Sequence, residues 1–255
     1  MIVLNEYEWA EEKIRSCDLG ENTYETLCRI AKYYINNSCT KDYTEQALKK
    51  FLIKCDPDIS LPKWENAIEK ILKYASENKI IEISSIDISV DEMKMIKEFK
   101  GVQTQRLAFT LLCLSKYYDT VRENNHHWVN TDSNVIMSLA NINTSIKRQS
   151  EMYRRLRDEG FLEFSKKVDN TNVRVNGFRE GDTAVSITDF RSLGYQYLMV
   201  IGEPFFYCTN CGITTKQRSK GAGNRQKYCK ECAKKISAMQ RIESVVRRRE
   251  QNKVG

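Results

Sequence analysis

Residues 144–175 read TSIKRQSEMYRRLRDEGFLEFSKKVDNTNVRV, and the fold of the middle of the chain turns on them. The first seventeen have helical spacing and close at Gly160, the residue type that best ends a helix in a left-handed turn. Ile146, Tyr153 and Leu156 fall on one face of that helix and are expected to be buried. FLEFSKKV and NVRVNGF then alternate as strands joined by the polar turn DNT. Working outward, VQTQRLAFTLLCLSKYYDTV (102–121) predicts a strongly apolar helix, and HHWVN a short strand. DSNVIMSLA predicts a second helix capped by Asp132, with NIN a tight turn before the third.

Helix, strand, helix, turn, helix, strand, loop, strand is the order of a winged helix. LRDEGFLEF (156–164) resembles winged-helix proteins most closely: the recognition helix ends at a glycine and enters the hairpin on an apolar residue. The resemblance implies that Thr144, Ser145, Lys147 and Arg148 enter a major groove, where such side chains reach base edges or phosphates. Lys166, Lys167 and Arg174 would then populate the wing. AVSI (184–187) is expected to finish the same sheet, with a short apolar helix following it.

The second informative stretch is CTNCGITTKQRSKGAGNRQKYCKEC, residues 208–232. Cys208, Cys211, Cys229 and Cys232 have the form C-x2-C-x17-C-x2-C. Four thiolates in paired knuckles at that spacing predict one structural zinc ion, with no coordination position left for water. Gly212 follows the first pair, where a knuckle needs unusual backbone angles. The second pair runs into CAKKISAMQRIESVVRRRE, a predicted helix, so the module resembles the treble-clef or zinc-ribbon group. The other five cysteines stand singly and are expected to be small buried residues. An odd total of nine argues against a disulfide framework.

Charge separates the two ends of the chain. The net charge is +7, yet residues 1–100 carry 15 Lys+Arg against 19 Asp+Glu, and residues 206–255 carry 13 against 3. A basic C-terminal end predicts a polyanionic partner. Lys216, Arg218, Lys220, Arg225 and Lys227 surround the cysteine cluster, and Arg247, Arg248 and Arg249 extend the charge along the last helix. All are expected phosphate contacts.

The first hundred residues predict helices with short breaks. Leu27, Ile30, Ala31 and Tyr34, then Ala47, Leu48, Phe51 and Leu52, then Trp64, Ile68, Ile71 and Leu72 have core spacing. IIEISSIDIS (80–89) alternates as a strand, and Ser89 is a cap for a helix over SVDEMKMIKEF. LCRIAKYYINN with YTEQALKKFLIKCDPDISLPKWENAIEKILKYA, within Tyr24–Ala75, resembles the helical module after the catalytic core of some phage and plasmid primases. Only 23 residues lie upstream, too few for the clustered carboxylates that polymerisation needs. The resemblance therefore implies a mobile-element replication setting and not an enzyme.

The expected fold is α+β and mainly helical. It comprises a helical domain over 1–100, a winged-helix-like domain with an extra strand and helix over 101–205, and a zinc finger with a basic helical tail over 206–255. No catalytic constellation is expected. His126 and His127 are tied by spacing to no nucleophile or carboxylate, and SKGAGN (219–224) lacks the lysine-serine ending of a phosphate loop. The N-terminus has no apolar stretch of signal-peptide length, and the longest apolar run, 107–114, is far below the ~20 residues of a membrane helix. A cytoplasmic, non-enzymatic protein that binds duplex DNA is the expectation. RNA binding, or a role as adaptor or inhibitor on a replication, transcription or defence protein complex, are the alternatives.

Overall fold

The computed structural model describes residues 2–166, 172–218 and 226–251, with side chains as far as Arg247. The architecture is α+β and mainly helical. It divides into two compact units, Met1–Ser85 and Ile86–Gly255.

The first unit is built from α1 (Glu6–Ser16), α2 (Thr23–Asn36), α3 (Lys41–Cys55) and α4 (Glu65–Glu77). Asn5, Asn22 and Thr40 start the first three, each side-chain oxygen accepting a backbone N–H of the first turn. A 3₁₀ turn over Leu61–Trp64, with Pro62 near its start, leads into α4. Leu27, Ile30 and Ala31 of α2 meet Leu48 and Leu52 of α3 and Ile68, Ile71 and Leu72 of α4 in one buried cluster. Burial of these side chains stabilises the unit at about 1.5–3 kcal/mol for each large one. Tyr34, Ala47 and Trp64, expected in the core, are only partly buried. Inside the unit Glu6 and Lys32 are 5% and 4% exposed and form an ion pair. The Glu6 carboxylate also accepts from Arg29 Nε at 3.3 Å and from the Ile81 N–H at 3.1 Å. Several donors on one carboxylate are what make such a burial tolerable.

The second unit begins with β1 (Ile86–Ser89), which leads directly into α5 (Val90–Glu98). Ser89 closes a capping box: its Oγ accepts from the Glu92 N–H, and the Glu92 carboxylate accepts from the Ser89 N–H. Glu92 is fully buried and also takes the Lys116 ammonium at 2.7 Å. Of the strand expected over 80–89, only 86–89 forms. It pairs antiparallel with β5 (Thr183–Ile187), Ile86 opposite Ile187. AVSI therefore does not finish the central sheet as expected but joins β1 in a separate two-stranded sheet. That pairing ties residues 86–89 to β5 within the second unit, which begins at Ile86. A ladder between strands a hundred residues apart leaves no local signal in sequence.

α6 (Val102–Val121) is the spine of this unit. Leu107, Ala108, Phe109, Leu111, Leu112, Cys113 and Leu114 are all buried along it, which explains a run apolar on nearly every side. Then come β2 (Trp128–Val129), α7 (Ser133–Leu139), α8 (Ile146–Asp158), β3 (Leu162–Phe164) and β4 (Val173–Val175). The three strands form an antiparallel sheet in the order β2-β4-β3. The expected turn DNT lies outside the described residues. α9 (Leu193–Val200) packs on α6 through Tyr197 and Phe109, ring centroids 5.4 Å apart, and the Tyr197 hydroxyl donates to Gln105 Oε1 at 3.0 Å. No described helix is long and apolar enough to cross a membrane.

Gly194 sits where α9 meets the end of α7. A Cβ there would lie 1.8 Å from the Ala140 carbonyl oxygen, the same oxygen that accepts from the Arg106 guanidinium at 2.7 and 2.9 Å. Gly194→Ala should push α9 off α7 and break that bond, costing about 1–3 kcal/mol. Chemical denaturation checks it, as a lower midpoint at unchanged slope.

Candidate functional site

The last part of the second unit holds the cysteines. β6 (Phe205–Tyr207) and β7 (Thr214–Lys216) form a short antiparallel hairpin, Tyr207 opposite Thr214. Cys208 and Cys211 occupy its turn, and Gly212 supplies φ +73° directly after them. The Gly212 N–H donates to the Cys208 carbonyl at 2.8 Å, and the Cys208 N–H to the Ile213 carbonyl at 3.0 Å, closing a knuckle. The second pair meets α10 (Lys230–Gln251): Cys229 immediately precedes the helix and Cys232 lies in its first turn. Thr209 docks the two halves, its N–H donating to the Lys227 carbonyl at 2.9 Å.

All four Sγ atoms lie within 4.8 Å of one another. Cys211 and Cys229 stand 3.9 Å apart, and all four are free thiols. A tetrahedral ion with metal–sulfur bonds of ~2.3 Å sets its sulfurs ~3.8 Å apart, whereas a disulfide needs ~2.05 Å. The spacing fits one metal ion and no disulfide. The surroundings fit as well. The Cys232 N–H donates to Cys229 Sγ at 3.4 Å, and Asn210 Nδ2 to Cys232 Sγ at 3.3 Å. Burial raises the Cys208 thiol, but backbone N–H groups of Cys229, Cys211 and Asn210 outweigh it and bring it down to about 6. Burial, and after it the sulfurs of Cys232, Cys208 and Cys229, push Cys211 up to about 12 against the Ile213 backbone N–H. Four sulfurs this close resist ionising together, and a divalent cation is what removes the conflict. The four cysteines could hold a metal ion.

Sequence reasoning missed two supports of this cluster. Arg191, far upstream, donates from Nη2 to the Cys211 carbonyl at 2.7 Å while paired with Asp189. Asn210 lies within the knuckle but carries no spacing signal. The basic residues divide. Lys216, Arg218, Lys227 and Arg247 are exposed. Lys220 and Arg225 lie outside the described residues, and Arg248 and Arg249 belong to α10 with their side chains undescribed.

On α8, Lys147 and Arg148 are exposed and have no ion pair among the described residues, while Thr144 is half-buried. Ser145 is the N-cap of α8, its Oγ facing the Arg148 N–H at 3.5 Å. Met152 and Leu156 are buried and Tyr153 half-buried, but Ile146 is 81% exposed and so contradicts the expected burial. It shares the helical angle of the core face but stands one turn ahead of the part that packs. In the hairpin, Lys166 is exposed and Lys167 lies outside the described residues. Arg174 is held against the sheet, donating from Nε to the His126 carbonyl at 3.2 Å and pairing with Glu163 at 3.5 Å.

His127 does have a carboxylate. Asp119 accepts from the His127 N–H at 2.9 Å, from Asn125 Nδ2 at 3.0 Å, and pairs with His127 Nδ1. Burial raises the Asp119 carboxyl, yet these bonds outweigh it and hold it below the usual carboxylate range. The His127 ring stacks on Phe178 at 3.8 Å. Asn124, His126 and His127 all have left-handed φ, at 57°, 51° and 68°. The cluster thus pins a strained turn ahead of β2, a role that no residue spacing announces.

No family model matches the chain, and no curated protein or solved structure matches it either.

Proposed function

We propose that the chain is a non-enzymatic protein that binds duplex DNA, reading bases with α8 and holding phosphates with its basic C-terminal module. The observation that carries this reading is the first turn of α8. Lys147 and Arg148 are exposed there without ion pairs among the described residues, beside the capped helix start. The order α6, β2, α7, α8, β3, β4, with the sheet ordered β2-β4-β3, supports reading the segment as a winged helix. For the metal we propose zinc, since four thiolates in a tetrahedron suit it and leave no open position for chemistry. The ion would act as a structural clasp held by Cys208, Cys211, Cys229 and Cys232. A setting in phage or mobile-element replication or transcription control rests on the primase-like pattern within Tyr24–Ala75 alone.

One observation favours the second reading, an adaptor or inhibitor on a nucleoprotein complex. Met239, Ile242, Val245 and Val246 of α10 are exposed apolar residues on a basic helix. Titrating labelled duplex at near-physiological salt against the full chain and against residues 86–255 tests both. Binding by both, tighter than the ~10⁻⁴–10⁻⁶ M of non-specific association, is expected for the DNA reader. Affinity that stays in that range unless a protein complex is added would favour the adaptor. The fragment starts at 86, because a start at 101 would remove β1 and expose Ile187 and Val185 of β5.

A further inference from the structure

Ile146 is the most exposed of the large apolar side chains described, at 81%. A single exposed isoleucine means little by itself. Its place is what gives it meaning. It is the first residue of α8, directly after the capping Ser145, and its neighbours Lys147 and Arg148 are exposed cations. One turn on, exposed Ser150 returns its hydroxyl to the Ile146 carbonyl at 3.0 Å. One apolar side chain among polar and cationic ones is too small a patch for a protein interface, and its surroundings suit an anion-rich one. The major groove of duplex DNA offers phosphates on both walls and, among the four bases, one apolar group: the C5-methyl of thymine.

We propose that Ile146 contacts a thymine methyl group, so that the preferred duplex contains a thymine that uracil cannot replace without loss. The inference rests on α8 being the reading helix. A β-branched side chain in a helix has essentially one χ1 rotamer, so the contact orders little that is not already ordered. Lys147 and Arg148 fix the helix on phosphates or guanine edges, and Ile146 at the leading tip selects thymine by exclusion of water. Cytosine, lacking the methyl, would leave the isoleucine against a polar edge.

The test uses the full chain and a duplex selected by it from a randomised library, then resynthesised with deoxyuridine at each thymidine in turn. Uracil pairs identically and removes only the methyl. The expected result is one position, or one symmetric pair, at which uracil weakens binding about fourfold, the effect of withdrawing one buried carbon. Ile146→Ala should weaken binding to the thymine duplex by at least as much and become indifferent to uracil there. The exposed position makes both the variant and its Ile146→Val control compatible with the fold, and the valine should retain the uracil penalty. A consensus at which every uracil is neutral overturns the methyl contact and leaves the DNA-reading helix standing. An alanine variant that keeps the full uracil penalty overturns it too. Selection that yields no consensus overturns the reading helix itself, and this inference with it.

Discussion

Cys208→Ser or Cys229→Ser should each abolish stoichiometric metal and unfold the C-terminal module while the rest of the second unit stays folded. The reason lies in how little else holds that module together. Among the described residues, its buried cluster consists of Cys208, Cys229 and Cys232, with Cys211, Ile213 and Tyr228 packed against it. The hairpin of β6 and β7 has three residue pairs and leans on α9 through Phe205 and Tyr195, ring centroids 4.9 Å apart, and a two-stranded hairpin with so little cover is marginal in water. Beyond its first turn α10 is largely exposed, so it brings little apolar burial. A structural zinc site supplies roughly 10–16 kcal/mol of apparent binding free energy, which in such modules is the folding free energy. Removing one thiolate takes away most of that. Elemental analysis should give one zinc per chain for the wild type and far less for each variant. Hydrogen exchange should lose protection over 205–218 and the start of α10 and keep it along α6. Cys39→Ser, a change at a cysteine outside the cluster, should leave the metal in place. Wild-type protein free of metal as purified, with a hairpin that stays protected in chelator, would refute the clasp.

What was legible in the sequence shares one property: it was local. Ser89 announced a helix cap, Gly160 a helix end, and the two C-x2-C pairs a cluster, because cause and effect lie within one turn or one loop. The core of the first unit was legible through helical spacing, as Leu27, Ile30, Leu48 and Ile68 show. Two of the failures are tertiary. Nothing near residues 184–187 says that their partner is β1 rather than β4. Asp119 meets His127 only because α6 and β2 fold back on one another. Ile146 failed differently: periodicity gives the angle of a side chain about its helix but not how far along the axis the packing reaches. A residue at the correct angle, one turn past the packed part, is exposed.

That exposure is why base reading and overall affinity should come apart under mutation. Lys147→Ala combined with Arg148→Ala should reduce discrimination between the selected and a random duplex by about 1–3 kcal/mol for each base that is no longer read. Alanine favours the helix, and the Ser145 cap uses the Arg148 backbone rather than its side chain, so α8 itself should persist, checked by unchanged circular dichroism. Deleting residues 241–255 should act differently. It removes Arg241, Arg247, Arg248, Arg249 and Lys253 and leaves all four cysteines and the first turns of α10. Each phosphate that is no longer neutralised should lower the slope of log affinity against log salt by about 0.9. Removing these cations should therefore weaken selected and random duplexes alike, with a salt slope shallower by up to about 4–5. Competition binding at several salt concentrations separates the two effects, because base reading changes the ratio of affinities and phosphate neutralisation changes their common salt dependence. If the α8 double variant weakens both duplexes equally, its cations bind phosphates and α8 is not the reading helix. Recognition would then have to come from another surface of the second unit, with the exposed Lys216 and Arg218 beside the metal cluster the next residues to change.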